Sequence, residues 1–127
     1  MGLHHGPCHV LGGTSGVAHG DVNSMLLSHV IRFNLDATAH QLAEVAIGAA
    51  SAALAREDPE AAARATAERV SEWVSEMGLP QRLRDLAMLE ADVPGLARLA
   101  MTSRTVQNNP RPIKDSAEIE ALLRAAW

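Results

Sequence analysis

The apolar residues of this 127-residue chain recur three and four positions apart, and few of them alternate with polar residues. Spacings of three and four place side chains on one face of an α-helix, whereas a half-buried strand requires alternation. The hydrophobic fraction of 47% comes largely from Ala, Leu and Val, and Ala and Leu are strong helix formers. We therefore expect an all-α fold, a helical bundle with almost no sheet that forms a single domain over residues 1–127.

Glycine and capping residues give the expected limits of the first helices. Residues 2–11 are predicted to form a short helix that Gly12 and Gly13 stop, because glycine is costly inside helices. A second helix is predicted to start after Asp21 as N-cap, and a third after Asp36. A weak boundary near residue 20 would separate a His-rich segment, 1–20, from the helical remainder, 21–127.

The second half of the chain carries clearer signals. Pro59 suits the first turn of a helix that Gly78 ends, short helices are expected near 81–86 and 92–101, and a final helix is expected over 115–126. Residues 108–112 should be irregular because they contain two prolines. The residues expected on buried faces are Val22, Met25, Leu26, Val30, Phe33, Leu42, Val45, Ala46, Ala49, Ala62, Ala65, Ala67, Val70, Trp73, Val74 and Met77.

Four of the six histidines, His4, His5, His9 and His19, lie within the first nineteen residues. His5 and His9 are four positions apart and would share a helix face, and the glycine-rich loop after them can bring His19 back. Three neutral imidazoles that converge could bind Fe, Zn, Ni or Cu and polarise a carbonyl or alkoxide oxygen. The alternative is that they are capping, surface or core histidines, and the spacing alone does not decide between the two.

Several other chemistries are disfavoured by the residues around these histidines. A zinc protease helix needs Glu directly after its first His, but Gly6 follows His5. Covalent haem attachment needs two cysteines before the His, and only Cys8 precedes His9. The loop 12–16 lacks the Lys of a phosphate-binding loop. Cys8 is expected to be a small core residue rather than a nucleophile.

Charge and composition limit the partners. A net charge of −4 and only three aromatic residues argue against nucleic acid, and no run approaches the ~20 apolar residues that cross a bilayer. The single cysteine and the absence of an export signal favour the cytoplasm. His29 and His40 are expected to pack or to lie at the surface, and Arg111, between two prolines, is expected to hold a carbonyl or pair with an acid.

The segment Gly2-Leu3-His4-His5-Gly6-Pro7-Cys8-His9-Val10-Leu11-Gly12-Gly13, followed by Ala18-His19-Gly20, resembles the signature of the iron-containing alcohol dehydrogenases. Three stretches look most like the maleylacetate reductase branch: the residues from Cys8 to Thr14, Gly78-Leu79-Pro80 and Asn109-Pro110-Arg111-Pro112. The resemblance spans nearly the whole chain. Gly6 departs from that branch, which often has a larger polar residue there.

This resemblance implies that His5 and His19 are metal ligands, for Fe²⁺ or Zn²⁺, and that His9 is an active-site histidine. The family's other two ligands, an Asp and a His, precede this segment, as does the α/β domain that binds NADH or NADPH. We expect both to lie outside this chain, so that the chain alone does not catalyse hydride transfer. An alternative is that His5 and His19 bind the substrate's carboxylates as hydrogen-bond donors.

The resulting hypothesis is the C-terminal part of an NAD(P)H-dependent oxidoreductase with a small-molecule substrate. Its reaction would be reduction of maleylacetate to 3-oxoadipate in aromatic compound degradation, or of a carbonyl or alcohol substrate. The rival, which a start at Met1 allows, is a stand-alone helical protein that binds metal or a partner without catalysis. A metal-dependent hydrolase is the weakest reading. Homodimer formation is left open.

Overall fold

A computed structural model describes residues 2–48, 57–86 and 88–127, and within these ranges the chain contains helices, turns and connecting segments but no strand. The described helices are α1 (His5–Ser15), α2 (His19–Phe33), α3 (Leu35–Gly48), α4 (Pro59–Glu76), α5 (Val93–Met101), α6 (Arg104–Gln107) and α7 (Ser116–Ala125). Two 3-10 turns, Leu83–Leu86 and Glu90–Asp92, lie between α4 and α5. The all-α prediction is confirmed.

Helix α2 is the central element of the packing. Helices α1 and α4 both pack against it, α3 lies along α4, and α5 packs against both α7 and α1. One main core joins α1, α2, α5, α6 and α7, whereas Ala43 of α3 and Ala62 of α4 form a separate small cluster. The largest fully buried side chains of the main core include Leu3, Leu11, Leu26, Leu83, Ile119 and Leu123. Burial of each such side chain contributes roughly 1.5–3 kcal/mol to stability. Because Leu3 and Leu123 belong to the same core, both ends of the chain are held in it.

Several helix limits lie where the sequence predicts them. Asp58 accepts a hydrogen bond from Ala61 N at 3.0 Å, and Pro59 opens α4 in its first turn. The same helix ends before Gly78, whose φ of 68° belongs to the left-handed region. Asp115 caps α7 by accepting from the backbone N–H groups of its first turn. Proline and an acidic cap are strong local signals because they act within a single turn.

The expected stop at Gly12 and Gly13 is wrong. Helix α1 continues through both glycines and ends at Gly16, which has the left-handed φ of 64°. Tertiary packing of the helix outweighs the roughly 1 kcal/mol that each internal glycine costs. Asp21 and Asp36 are also not N-caps, because each lies inside the first turn of its helix. The helix dipole stabilises a carboxylate at that position.

The buried face of α2 is confirmed for four residues, and Phe33 is partly buried. By contrast, Trp73 of α4 is 43% exposed and Met77, which directly follows α4, is 64% exposed, although both were expected inside. The inner face of α4 consists mainly of small residues, which let it lie close to α2 and α3 and leave the large side chains outside. Val45 of α3 is likewise 61% exposed, and the side chains of Ala46 and Ala49 lie outside the described residues.

The irregular segment 108–112 ties the two ends of the chain together. Asn109 Oδ1 accepts from Leu3 N at 2.9 Å, and Asn109 Nδ2 donates to Asn34 Oδ1 at 2.6 Å. Arg111 donates to Phe33 O at 3.1 Å and forms an ion pair with Glu118, which matches the structural role expected for it. Asn34 and Asn109 are both buried, so these bonds satisfy amides that would otherwise be costly. Helix α6, just before this segment, was not anticipated.

Candidate functional site

The start of helix α1 is fixed by contacts on two sides. Leu3, held by Asn109, is fully buried, and His5 N donates to Gly2 O at 3.0 Å in the turn that opens the helix. On the next residue, a Cβ at Gly6 would overlap Val106 Cγ2. Glycine therefore allows α1 to lie directly against α6, and this close packing fixes where His5 lies.

Three imidazoles converge at one end of the bundle. The ring centres of His5 and His9, one turn apart on α1, are 5.1 Å apart. His19, the first residue of α2, lies 5.2 Å from His5 and 5.2 Å from His9. Gly16 makes this possible, because its left-handed conformation turns the chain between the two helices. The structure thus brings together the three histidines that the sequence singled out.

The fourth histidine of the segment, His4, has a structural partner instead. Its Nε2 lies 2.9 Å from Asn23 O and, facing a carbonyl, donates to it, so the ring joins α1 to α2. Cys8 Sγ donates to His4 O at 2.9 Å. The His4 ring centre is 6.1 Å from that of His5, at the edge of the three-histidine cluster.

Asn23 is a neighbour of the cluster that the sequence analysis did not select. It lies one turn after His19, and its Nδ2 donates to His19 O at 2.7 Å. Its Oδ1 is buried without a hydrogen-bond partner in the described part of the chain. The only available signal was its position four residues after His19 on the same helix, which by itself is not specific.

Electrostatics keep one of the imidazoles neutral. The pKa of His5 lies below its ordinary value of 6.5, first because burial disfavours the charged form and then because His9, His19 and His4 are neighbouring histidines. His5 therefore presents an unprotonated nitrogen at neutral pH. That form is the one that ligates a metal ion or accepts a proton.

The donor set suits a metal ion in chemistry and in ring spacing. Three imidazoles bound to one Zn²⁺ at about 2.1 Å with tetrahedral angles would have ring centres roughly 5.3 Å apart. The observed separations of 5.1–5.2 Å are close to that value. Among the described residues, however, no three His, Cys, Asp or Glu side chains have their donor atoms arranged to hold an ion. An ion bound here would therefore need a different arrangement of these donor atoms or further ligands.

The remaining candidates behave as structural residues. Cys8 is fully buried, and burial raises the pKa of its thiol to about 12, which disfavours the thiolate that a nucleophile needs. His40 is exposed on α3. His29 is partly buried on α2, and both burial and the nearby Arg32 lower its pKa. None of these joins the three-histidine cluster.

Comparison with known proteins identifies the family of this chain. The model of the "Fe-containing alcohol dehydrogenase family, C-terminal" matches residues 1–127. The chain belongs to the Fe-containing alcohol dehydrogenase family. All the helices described above, with His5, His9 and His19, lie within the matched residues.

Two relatives with different named activities are similar to this chain at nearly the same identity. The chain is 36% identical to the 1,3-propanediol dehydrogenase of Klebsiella pneumoniae and 34% identical to the maleylacetate reductase of Pseudomonas knackmussii, in each case over 100% of this chain and 32% of the relative. A crystal structure of a 1,3-propanediol oxidoreductase matches with a TM-score of 0.82 and 34% identity, over 100% of this chain and 33% of that one. The chain thus spans about a third of these relatives' length, and the two identities do not separate the branches.

No helix in the described part of the chain is both long and apolar enough to cross a bilayer.

Proposed function

We propose that this chain forms the histidine-bearing helical wall of the active site of an NAD(P)H-dependent oxidoreductase. The observation that supports this is the convergence of His5, His9 and His19 with ring centres 5.1–5.2 Å apart. The names of the relatives, dehydrogenases and reductases, support the same reaction class. The reaction itself would need the nicotinamide cofactor, which the rest of a longer enzyme would bind.

Each histidine has a distinct role in this proposal. His5 and His19 would hold Fe²⁺ or Zn²⁺ together with ligands from outside the chain, and such an ion supplies Lewis-acid polarisation of a substrate oxygen. His9, on the α1 face that carries His5, would take up or deliver the proton at that oxygen. The low pKa of His5 favours this arrangement because the neutral imidazole is the form that binds metal.

The substrate is proposed to be a small carbonyl or alcohol compound, or maleylacetate reduced to 3-oxoadipate in aromatic compound degradation. The similarity to maleylacetate reductase and to 1,3-propanediol dehydrogenase supports both classes. For a dicarboxylate substrate, His5 and His19 could instead donate hydrogen bonds to carboxylate oxygens. A metal requirement distinguishes these two uses of the same side chains.

The test is NADH oxidation by a protein that joins this chain to a nucleotide-binding domain of the family. His5→Ala should lower kcat/KM at least about 100-fold, as loss of a metal ligand or of its positioned oxygen does. His40→Ala removes an exposed histidine of α3 and is the matched control. Turnover by the His5→Ala protein equal to that of the control would contradict the assignment.

Metal dependence is tested separately on the chain by itself. Calorimetric titration with Zn²⁺ should show binding that His5→Ala and His19→Ala each weaken and His40→Ala does not. A chain that binds Zn²⁺ but never supports NADH oxidation would favour the stand-alone metal-binding protein over the reductase.

A further inference from the structure

A small polar cavity lies between α2 and α4, and its lining includes none of the three histidines of the cluster. It is bounded by Ser24, Met25, Ser28 and His29 of α2, by Ser71 and Val74 of α4, and by Gln81 of the following connector. Its volume is about 20 Å³, and most of its wall is polar. A cavity needs roughly 10–15 Å³ to hold one water molecule, so this one has room for a single water.

The hydrogen-bonding groups around the cavity have unused capacity. The ring nitrogens of His29 and the hydroxyl of Ser71 have no hydrogen-bond partner within the described residues. Both side chains are partly buried and keep some contact with solvent, since Asn23 Oδ1 is the sole fully buried side-chain polar atom without a partner in the described part of the chain. Ser28 Oγ accepts only a long bond of 3.4 Å from Arg32, and its own proton is free to donate. Gln81 donates its Nε2 proton to Leu79 O, which leaves Oε1 as an acceptor. A buried water typically makes about three hydrogen bonds, and these groups can supply them.

We infer that this cavity is the binding site of a single ordered water molecule that joins α2, α4 and the Gln81 connector through Ser28, His29, Ser71 and Gln81. Among the described residues, no side-chain hydrogen bond joins α2 directly to α4, although the two helices pack along each other. The water would supply the missing polar link between them. Ser28 is 4% exposed, so its hydroxyl has little access to bulk solvent as an alternative partner.

Charge and chemistry favour water over an ion. The guanidinium of Arg32 lies beside Ser28, which disfavours a cation. The lowered pKa of His29, caused by burial and then by Arg32, keeps its ring neutral, with one donor and one acceptor nitrogen. A neutral ring paired with hydroxyls and an amide oxygen suits a ligand that both donates and accepts, which water does.

The direct test is a high-resolution crystal structure of the chain together with NMR in solution. Electron density should show one water within hydrogen-bonding distance of at least three of the four named side chains. Water-to-protein NOEs should reach the Ser28 and Ser71 backbone amides. A collapsed or dry cavity, or a bound ion in place of water, would overturn the inference.

A pair of serine variants gives an independent readout. Ser71→Ala removes a hydroxyl that faces the cavity, whereas Ser75→Ala, one turn along α4, removes an exposed one. Alanine is the better helix former, so Ser75→Ala should leave Tm unchanged or slightly raised. Ser71→Ala should lower Tm by several degrees despite the same propensity gain. Equal Tm values for the two variants would count against the water site.

Discussion

Gly6 is a residue of α1 that lies directly against α6. A Cβ there would overlap Val106 Cγ2 and lie 3.3 Å from Thr105 Oγ1. Val106 is 2% exposed and β-branched, so it has little freedom to move away. Gly6→Ala is therefore expected to destabilise the fold by about 1–3 kcal/mol through overpacking, which exceeds the ~1 kcal/mol that alanine returns as helix propensity. Denaturant unfolding monitored by circular dichroism measures this change.

The matched control for Gly6 lies on the same helix. Gly13 is also internal to α1, but a Cβ there would meet nothing within 4 Å. Gly13→Ala should thus raise stability by about 0.5–1 kcal/mol. The double variant Gly6→Ala with Val106→Ala should recover part of the loss, because the second change removes the clashing methyl groups. Destabilisation of equal size at both glycines would refute the close-packing explanation.

Between elements, the side chain of Asn109 joins three separate parts of the chain. It accepts from Leu3 N and donates both to Asn34 Oδ1 and to Arg111 O, so it connects the entry of α1, the end of α2 and the segment before α7. Asn109→Ala would leave buried groups without partners, at roughly 1–3 kcal/mol for each. We expect a total loss of about 2–4 kcal/mol, measured as a lower urea midpoint with an unchanged m-value.

The neighbouring residue provides the comparison for Asn109. Asn108 is exposed, and its side chain makes no hydrogen bond to another described residue. Asn108→Ala should change the free energy of unfolding by no more than about 0.5 kcal/mol. If Asn109→Ala were as mild as Asn108→Ala, the buried amide connection would contribute little to holding the two chain ends together.

The helices were predictable wherever one turn of sequence decides the outcome. Pro59, Gly78 and Asp115 mark helix limits because a ring constraint, a left-handed residue and a side-chain cap each act locally. The helix limits expected at Gly12 and Asp21 were wrong because the local conformational preference of each residue contributes less free energy than the packing of its helix. The burial expected for Trp73 was wrong for another reason. Helical periodicity shows which residues share a face of a helix, but not whether a neighbouring helix covers that face.

In the candidate site, too, local contacts were predictable from the sequence and long-range contacts were not. His5 and His9 were predictable as a pair because helical spacing puts them on one face, and a glycine-rich turn allowed for the return of His19. The contact of Gly6 with Val106 was not predictable, nor was the bond between Leu3 and Asn109, 106 positions apart in sequence. Such contacts depend on the tertiary arrangement, and no local pattern encodes them.

For the molecule as a whole, two histidines set a pH dependence of stability. The pKa values of His5 and His29 are both lowered in the folded protein, in each case chiefly by burial. Below the unfolded value of 6.5, the unfolded chain therefore binds more protons than the folded one. The free energy of unfolding therefore has its full value, as far as these two groups are concerned, above pH 6.5. It decreases as the pH falls from 6.5 towards their folded pKa values.

Replacing His29 tests its share of this dependence. His29→Gln keeps a neutral polar side chain but cannot titrate, so the free energy of unfolding should fall less steeply between about pH 7 and about pH 5 than in the original chain. Urea unfolding at several pH values gives the two slopes, and comparing slopes removes any constant cost of the substitution itself. The whole chain is expected to unfold in one step, so the pH dependence of unfolding that remains in the variant includes the contribution of His5. An identical slope in both proteins would mean that burial of His29 does not exclude its proton, and that its ring is solvated in the folded state.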